Sequence, residues 1–294
     1  MNITTSLRAR LSIIVAMLIW GSIGLFRRFI PLPSASLAAI RALGGVVCLL
    51  IWTLLRRQRI SLTSLRNKVL PLLLSGAFIG ANWILLFEAY RYTSVAVATL
   101  CYYMAPMIVM LLSPILLRER LTKKKLICLA VSLAGMAMVS GVFGSNEGNS
   151  LRGVLLGLAS AAFYASVILT NKRISDVSSM DRTIAQLAVA AAVALPYALL
   201  TEDLTALTLN ASAVLMLLVV IIIHTGLAYA LYFSSMDHLP AQTAALMSYI
   251  DPISAILLSA LVLKEGMSPL SILGTALVLG AVIFCELPEH KKPS

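Results

Sequence analysis

The segment Tyr102-Tyr103-Met104-Ala105-Pro106, with the apolar run after it that ends at Leu117-Arg118-Glu119, has an echo in the second half of the chain. There the order is Ser248-Tyr249-Ile250-Asp251-Pro252, ending at Leu263-Lys264-Glu265. Tyr103 falls on Tyr249, Pro106 on Pro252 and Glu119 on Glu265, and the same shift puts Phe87 on Phe233 and Trp83 on Tyr229 without a gap. Tyrosine, proline and glutamate at matched spacing point to two copies of one unit, dividing the chain at 1–146 and 147–294.

Outward from these segments, apolar runs bounded by charge, Gly, Pro or Asn give ten spans. They lie near 11–30, 34–55, 69–90, 94–117, 125–143, 151–170, 182–200, 211–235, 240–263 and 270–286. A helix needs about 20 apolar residues to cross ~30 Å of hydrocarbon, and a strand only about 10. Lipid offers no partner to open backbone groups, so runs of this length are helices. Composition agrees: 60% of the 294 residues are hydrophobic and 12% charged, with a mean hydropathy of +0.95. A soluble domain carries about 25% charged residues, and this chain has too few to cover a water-facing surface. Five spans per unit is an odd number, which turns the second copy upside down in the bilayer. The expected fold is an all-α membrane protein of ten transmembrane helices in two inverted five-helix repeats, an arrangement that places solute sites near the midplane where repeats meet.

The net charge of +11, from 23 Lys and Arg against 12 Asp and Glu, sits in short runs between the spans and reads as topology rather than nucleic-acid binding. With the N-terminus in the cytoplasm, 17 basic residues fall inside and five outside, so both termini are expected to be cytoplasmic and the protein to lie in a bacterial inner membrane. The run Arg118 to Lys125 is then a cytoplasmic loop in contact with anionic lipid. Arg8, Arg10 and the apolar run to Trp20 imitate a signal peptide, but no small-residue cleavage site follows, so this stretch is the first helix. Cys48, Cys101, Cys128 and Cys285 are scattered through apolar stretches and read as packed thiols. There is no Walker loop, no HExxH or clustered Cys/His set and no Gly-x-Ser-x-Gly, so neither ATP hydrolysis nor a cofactor nor a metal is expected. Gly76 and Gly80 form a small-xxx-small pair that packs helices closely, either within one protomer or between two copies in a homodimer.

Five features together resemble the EamA-type members of the drug/metabolite transporter superfamily. These are Trp20-Gly21, Arg41 early in the second span, Ala89-Tyr90-Arg91-Tyr92-Thr93-Ser94 and the two Pro-to-Glu segments. The resemblance covers nearly the whole chain and implies a ten-helix inverted repeat that moves small organic solutes, often amino acids or related metabolites, commonly outward. The second repeat departs from the family pattern at Asp251, where a small or apolar residue is expected, and in its few basic residues after Glu265.

Ionisable groups deep in lipid are costly and ask for an explanation. Asp251, in the ninth span, and His224, in the eighth, both fall near the midplane, where they would exchange a proton or anchor an amine. The plainer alternatives are an Asp251 that accepts a backbone or Tyr proton beside Pro252, and a His224 that bonds a neighbouring carbonyl. Arg41 and Glu88 are expected toward the outer face, where they pair with each other or with Arg91, or form an outer gate. Aromatic side chains form the second set: Trp20, Trp83, Tyr102, Tyr103, Tyr164, Tyr229, Tyr232 and Tyr249, with Asn82 as a neutral polar neighbour. Tyr103 and Tyr249 each stand three residues before a proline that removes a helix donor, and Thr225, Tyr229 and Tyr232 share a helix face. Aromatic walls with few polar groups suit a small amphipathic solute. The sequence therefore suggests an exporter or exchanger, proton-coupled or uncoupled, that rocks one repeat against the other. An intramembrane enzyme using Asp251 and His224 as acid and base is the alternative, though no second carboxylate or nucleophile stands near them in sequence.

Overall fold

The computed structural model describes residues 3–27, 29–93, 95–139, 150–174, 176–203, 209–262, 264 and 268–287. The elements in chain order are α1 (Ile3–Arg27), α2 (Ser34–Leu55), a short α3 (Leu62–Asn67), α4 (Val69–Tyr92), α5 (Val95–Tyr102), α6 (Ala105–Leu116) and α7 (Lys123–Val139). The second half follows with α8 (Leu151–Asn171), α9 (Ser179–Thr201), α10 (Ala211–Val219), a π-helical stretch (Val220–Leu227), α11 (Ala228–Met236), α12 (Ala241–Met247), α13 (Ile250–Val262) and α14 (Pro269–Glu286). There is no strand among the described residues.

Eight stretches among the described residues are long and apolar enough to cross a membrane, and Pro269–Cys285 is a shorter apolar helix. The expectation of ten spans is met only to this extent. The fifth, placed at 125–143, is helical over Lys123–Val139, opens with three lysines, and runs past residue 139 into a part that lies outside the described residues. The first membrane-crossing stretch, Thr5–Arg27, begins before the expected 11, because Arg8 and Arg10 continue the helix instead of ending it.

Two spans break at positions matched to within one residue. The fourth parts into α5 and α6 at Tyr103 and Met104, and the ninth into α12 and α13 at Ser248 and Tyr249. The cause is local. Pro106 and Pro252 have no N–H for the carbonyls of Tyr102 and Ser248, and a proline ring disfavours the helical conformation just before it. Each proline instead sits in the first turn of a new helix, where its missing donor costs nothing. The turns tighten to i→i−3 bonds: Met104 N donates to Cys101 O at 3.1 Å, and Tyr249 N to Leu246 O at 3.1 Å. A third matched feature ends the same spans, since Arg118 and Lys264 both adopt left-handed backbone, with φ of 57° and 56°.

Two pairs of corresponding helices, α2 with α9 and α7 with α14, lie side by side and run antiparallel. In the α2/α9 pair, Glu202 just after α9 accepts from Ala35 N and Ser36 N at the start of α2, while Asp181 at the start of α9 accepts from Ser61 N beyond α2. In the α7/α14 pair, Gly135 meets Gly274 while Lys124 meets Phe284 and Leu287. The remaining contacts exchange likewise: α4 packs on α8 and α9, as the α10–α11 segment packs on α1 and α2. The Gly76–Gly80 stripe serves the α4–α9 contact within one chain. A Cβ on Gly76 would stand 2.7 Å from Gln186 O, and one on Gly80 3.0 Å from Ala190 O.

Candidate functional site

The helix breaks and the π-helical stretch surround one aromatic cluster. Trp20 from α1 lies 4.8 Å from Tyr229 and 5.1 Å from Tyr232, ring centre to ring centre, and Trp83 from α4 lies 6.2 Å from Tyr229. On the other flank, Tyr102 stacks near Tyr103 at 5.4 Å and Tyr164 at 5.5 Å, and Tyr103 faces Tyr249 at 6.3 Å. The hydroxyl of Tyr164 bridges the flanks, at 3.1 Å from the Tyr232 hydroxyl and 3.4 Å from Ser248 Oγ. Tyr249 donates to the carbonyl of Tyr103 at 2.9 Å, so the break in one half is held by the tyrosine of the break in the other.

Two opposite charges enter this cluster, one from each half. Arg41 of α2 places its guanidinium 5.1 Å from the centre of the Trp83 ring, and its Nε donates to Thr225 Oγ1 at 3.2 Å. Asp251, on the first turn of α13, lies within electrostatic reach of Arg41 and of Tyr90, Tyr102 and Tyr103. Both side chains are half-buried. Trp20, Trp83, Tyr102, Tyr103 and Tyr164 are likewise only half-buried. Gly21 sets the position of Asp251 from behind, since α1 crosses α13 there with no room for a side chain.

The side chains of His224, Asn82 and Glu88 have partners outside the aromatic cluster. Buried His224 turns away from Asp251: its Nε2 stands 2.9 Å from Ser22 Oγ, its ring 4.9 Å from Phe26, and its carbonyl accepts from Trp20 Nε1 at 2.8 Å. Buried Asn82 bonds Ser160 O and Ser160 Oγ, both at 2.9 Å, and its own carbonyl takes the serine proton, joining α4 to α8. Glu88 pairs with Arg91 at 2.9 Å, as its i+3 spacing suggests, and accepts from Tyr197 across to α9. Arg41 lies over Trp83 instead, deeper in the bundle than its distance from the start of α2 suggests.

Sequence reasoning missed two features. The π-helical stretch carries His224 and Thr225, and its extra residue per turn turns Thr225 toward Arg41 while its own Oγ1 bonds Val220 O at 3.0 Å. Nothing in the run Val219-Val220-Ile221-Ile222-Ile223 announces this. The second is a polar lock at the bundle end that carries Glu119. The left-handed Arg118 swings Glu119 back so that its carboxylate accepts from Ala241 N at 2.6 Å and Gln242 N at 3.2 Å. Lys125 donates to Gln242, which donates to Ser113, and Lys172 donates to the carbonyls of Met236 and Leu239. Burial pushes the Lys172 ammonium below its ordinary pKa, against the pull of Glu119 and Asp237. Fully buried Arg182, the first residue of the expected seventh span, grips both oxygens of Asp237 at 2.9 and 3.1 Å. The partners in this lock are 51 to 129 residues apart in the sequence.

Comparison with known proteins places this architecture. The EamA-like transporter family matches residues 7–141 and again 151–286. The uncharacterized transporter YxxF of Bacillus subtilis is 30% identical over 253 residues, which is 85% of this chain and 80% of that protein. The uncharacterized inner membrane transporter YicL of Salmonella typhimurium is 24% identical over 97% of both chains. A solved crystal structure superposes with a TM-score of 0.83 at 21% identity, covering 95% of this chain and 98% of the other, a likeness of fold. With the family matched over both halves, this multi-pass membrane protein belongs to the EamA-like transporters.

Proposed function

We propose that the chain is a secondary transporter of small amphipathic metabolites that carry both an ammonium and a carboxylate, such as amino acids and related amines, acting as an exporter or exchanger. The ten spans form two inverted five-helix repeats, one per half of the chain at 1–146 and 147–294, with both termini in the cytoplasm and the protein in the inner membrane. What supports the inversion is that corresponding helices, α2 with α9 and α7 with α14, run antiparallel.

One observation carries the substrate reading: Arg41 from the first half, over the Trp83 ring, and Asp251 from the second lie within electrostatic reach of each other beside the aromatic cluster. Arg41 takes the carboxylate, Asp251 the ammonium, and Trp20, Trp83, Tyr102, Tyr103, Tyr164 and Tyr229 enclose the apolar part. Each charge serves as the other's counter-ion when the site is empty, which keeps an intramembrane pair tolerable. His224, Asn82 and Tyr249 hold the wall in place. The polar lock around Glu119 and Arg182 closes the cytoplasmic end, while Glu88, Arg91 and Tyr197 stand at the outer end as part of a gate. Rocking one repeat against the other at the broken helices alternates access. Asp251, if it exchanges a proton, couples this motion to the pH gradient.

The test is counterflow of labelled amino acids and amines in proteoliposomes, with and without a pH gradient. Arg41→Gln is expected to abolish exchange of carboxylate-bearing solutes and Asp251→Asn that of ammonium-bearing ones. Flux untouched by both changes overturns the site.

A further inference from the structure

Helices α7 and α14 form a pair set apart from the aromatic cluster, packed chiefly on each other. Their close approach is at Gly135 and Gly274, where a Cβ on either would stand 2.7 or 2.5 Å from the carbonyl oxygen of the other. Two turns further toward Lys123 and Glu286, a groove of about 250 Å³ opens between the same two helices. Ile127, Cys128, Val131, Leu277, Ala281 and Phe284 line it. Gly280 lies in it too, and a Cβ added there meets nothing within 4 Å.

The groove ends at a cation. Lys124 Nζ stands 5.1 Å from the centre of the Phe284 ring and donates to Leu287 O at 2.5 Å. An ammonium has three donors, so two remain. Exposed Lys123 is its neighbour, in a run from Arg118 to Lys125 that holds five basic residues and one acid. That acid, Glu119, is engaged with the amides of Ala241 and Gln242. An apolar slot that leads to two ammonium groups with no carboxylate partner among the described residues matches a molecule with a hydrocarbon chain attached to a phosphate.

We propose that the α7–α14 groove seats one acyl chain of an anionic diacyl phospholipid, with the lipid phosphate held by Lys124 and Lys123. The charge at its mouth favours this occupant over the apolar face of a second copy. The site is separate from the aromatic cluster, and its test does not depend on what the protein transports.

Two variants address the two halves of the ligand. Gly280→Leu fills the groove from a regular helix with open space around it, so the protein folds, which an unchanged or raised melting temperature verifies. Lys124→Gln removes the charge and leaves the slot. Native mass spectrometry of the detergent-solubilised protein, titrated with phosphatidylglycerol or phosphatidylcholine of equal chain length, reads the first bound lipid. Wild type is expected to bind phosphatidylglycerol about fivefold more tightly than phosphatidylcholine, the scale of one basic residue at an anionic surface. Lys124→Gln removes most of that preference, and Gly280→Leu weakens the first binding event for both lipids. Equal affinity for the two lipids in wild type, or a first event untouched by Gly280→Leu, overturns the proposal. So does a wild-type dimer that Gly280→Leu converts to monomer, which would make a second copy the occupant.

Discussion

Adding one methyl group at Gly21 tests the contact that positions Asp251. A Cβ there would lie 1.8 Å from Ser254 Oγ, 2.6 Å from the carbonyl oxygen of Asp251 and 3.0 Å from Ala255 N. The serine can rotate away, but the other two atoms are backbone. The Asp251 carbonyl alone is roughly 0.9 Å inside ordinary contact, so α1 and α13 must separate. Overpacking of this kind costs about 1–3 kcal/mol, and alanine returns about 0.5–1 kcal/mol as the better helix former. Gly21→Ala is therefore expected to lose about 1–2 kcal/mol, a drop of roughly 2–8 °C in melting temperature by the scaling of domains of 150–250 residues. It is also expected to reduce transport by moving Asp251 away from Arg41. Gly24, one turn on in the same helix, is the internal control, because a Cβ there meets nothing within 4 Å. Gly24→Ala is expected to be neutral or stabilising by up to about 1 kcal/mol. Thermal unfolding in detergent and exchange in liposomes read both. If Gly21→Ala is as stable and active as Gly24→Ala, the close α1–α13 crossing is wrong.

Three further outcomes follow from particular contacts. Arg41→Gln and Asp251→Asn each strand a partner charge and are expected to destabilise by as much as about 3 kcal/mol. The double variant should cost less than the sum, with a coupling of about 1–3 kcal/mol in a double-mutant cycle, and strict additivity would refute their pairing. Asn82→Ala breaks the α4–α8 link to Ser160 and is expected to lower stability by roughly 0.6–1.7 kcal/mol with KM unchanged. A change in solute preference instead would make Asn82 a solute contact. Arg118→Gly relieves a left-handed residue at φ 57° and is expected to stabilise by about 1 kcal/mol, whereas Arg118→Val should destabilise, both read by melting temperature.

The helical fold was legible because lipid imposes a length and an apolarity on each span that composition cannot hide. The paired breaks were legible as well, since Pro106 and Pro252 act on their own neighbours through a missing donor and a steric clash. Side-chain partners were less so. Counting along the spans puts His224 and Asp251 at one expected depth, but depth says nothing about azimuth, and the π-helical stretch rotates the face on which His224 lies. Arg41 was assigned to the outer face by counting from the start of α2. Its position over Trp83 depends on how closely α2 lies against α4 and on the turn that brings Thr225 to it. The pairing of Arg182 with Asp237 was not legible because the two are 55 residues apart.

The central claim is that water and solute reach the space between Arg41 and Asp251 from one side of the membrane at a time. In a protein whose four native cysteines are replaced, a single Tyr103→Cys in sealed vesicles, treated with a membrane-impermeant thiol reagent from each side in turn, measures this directly. The account predicts labelling from one side, slowed by a transported solute. A cysteine that no reagent reaches from either side, with the protein folded, would contradict it.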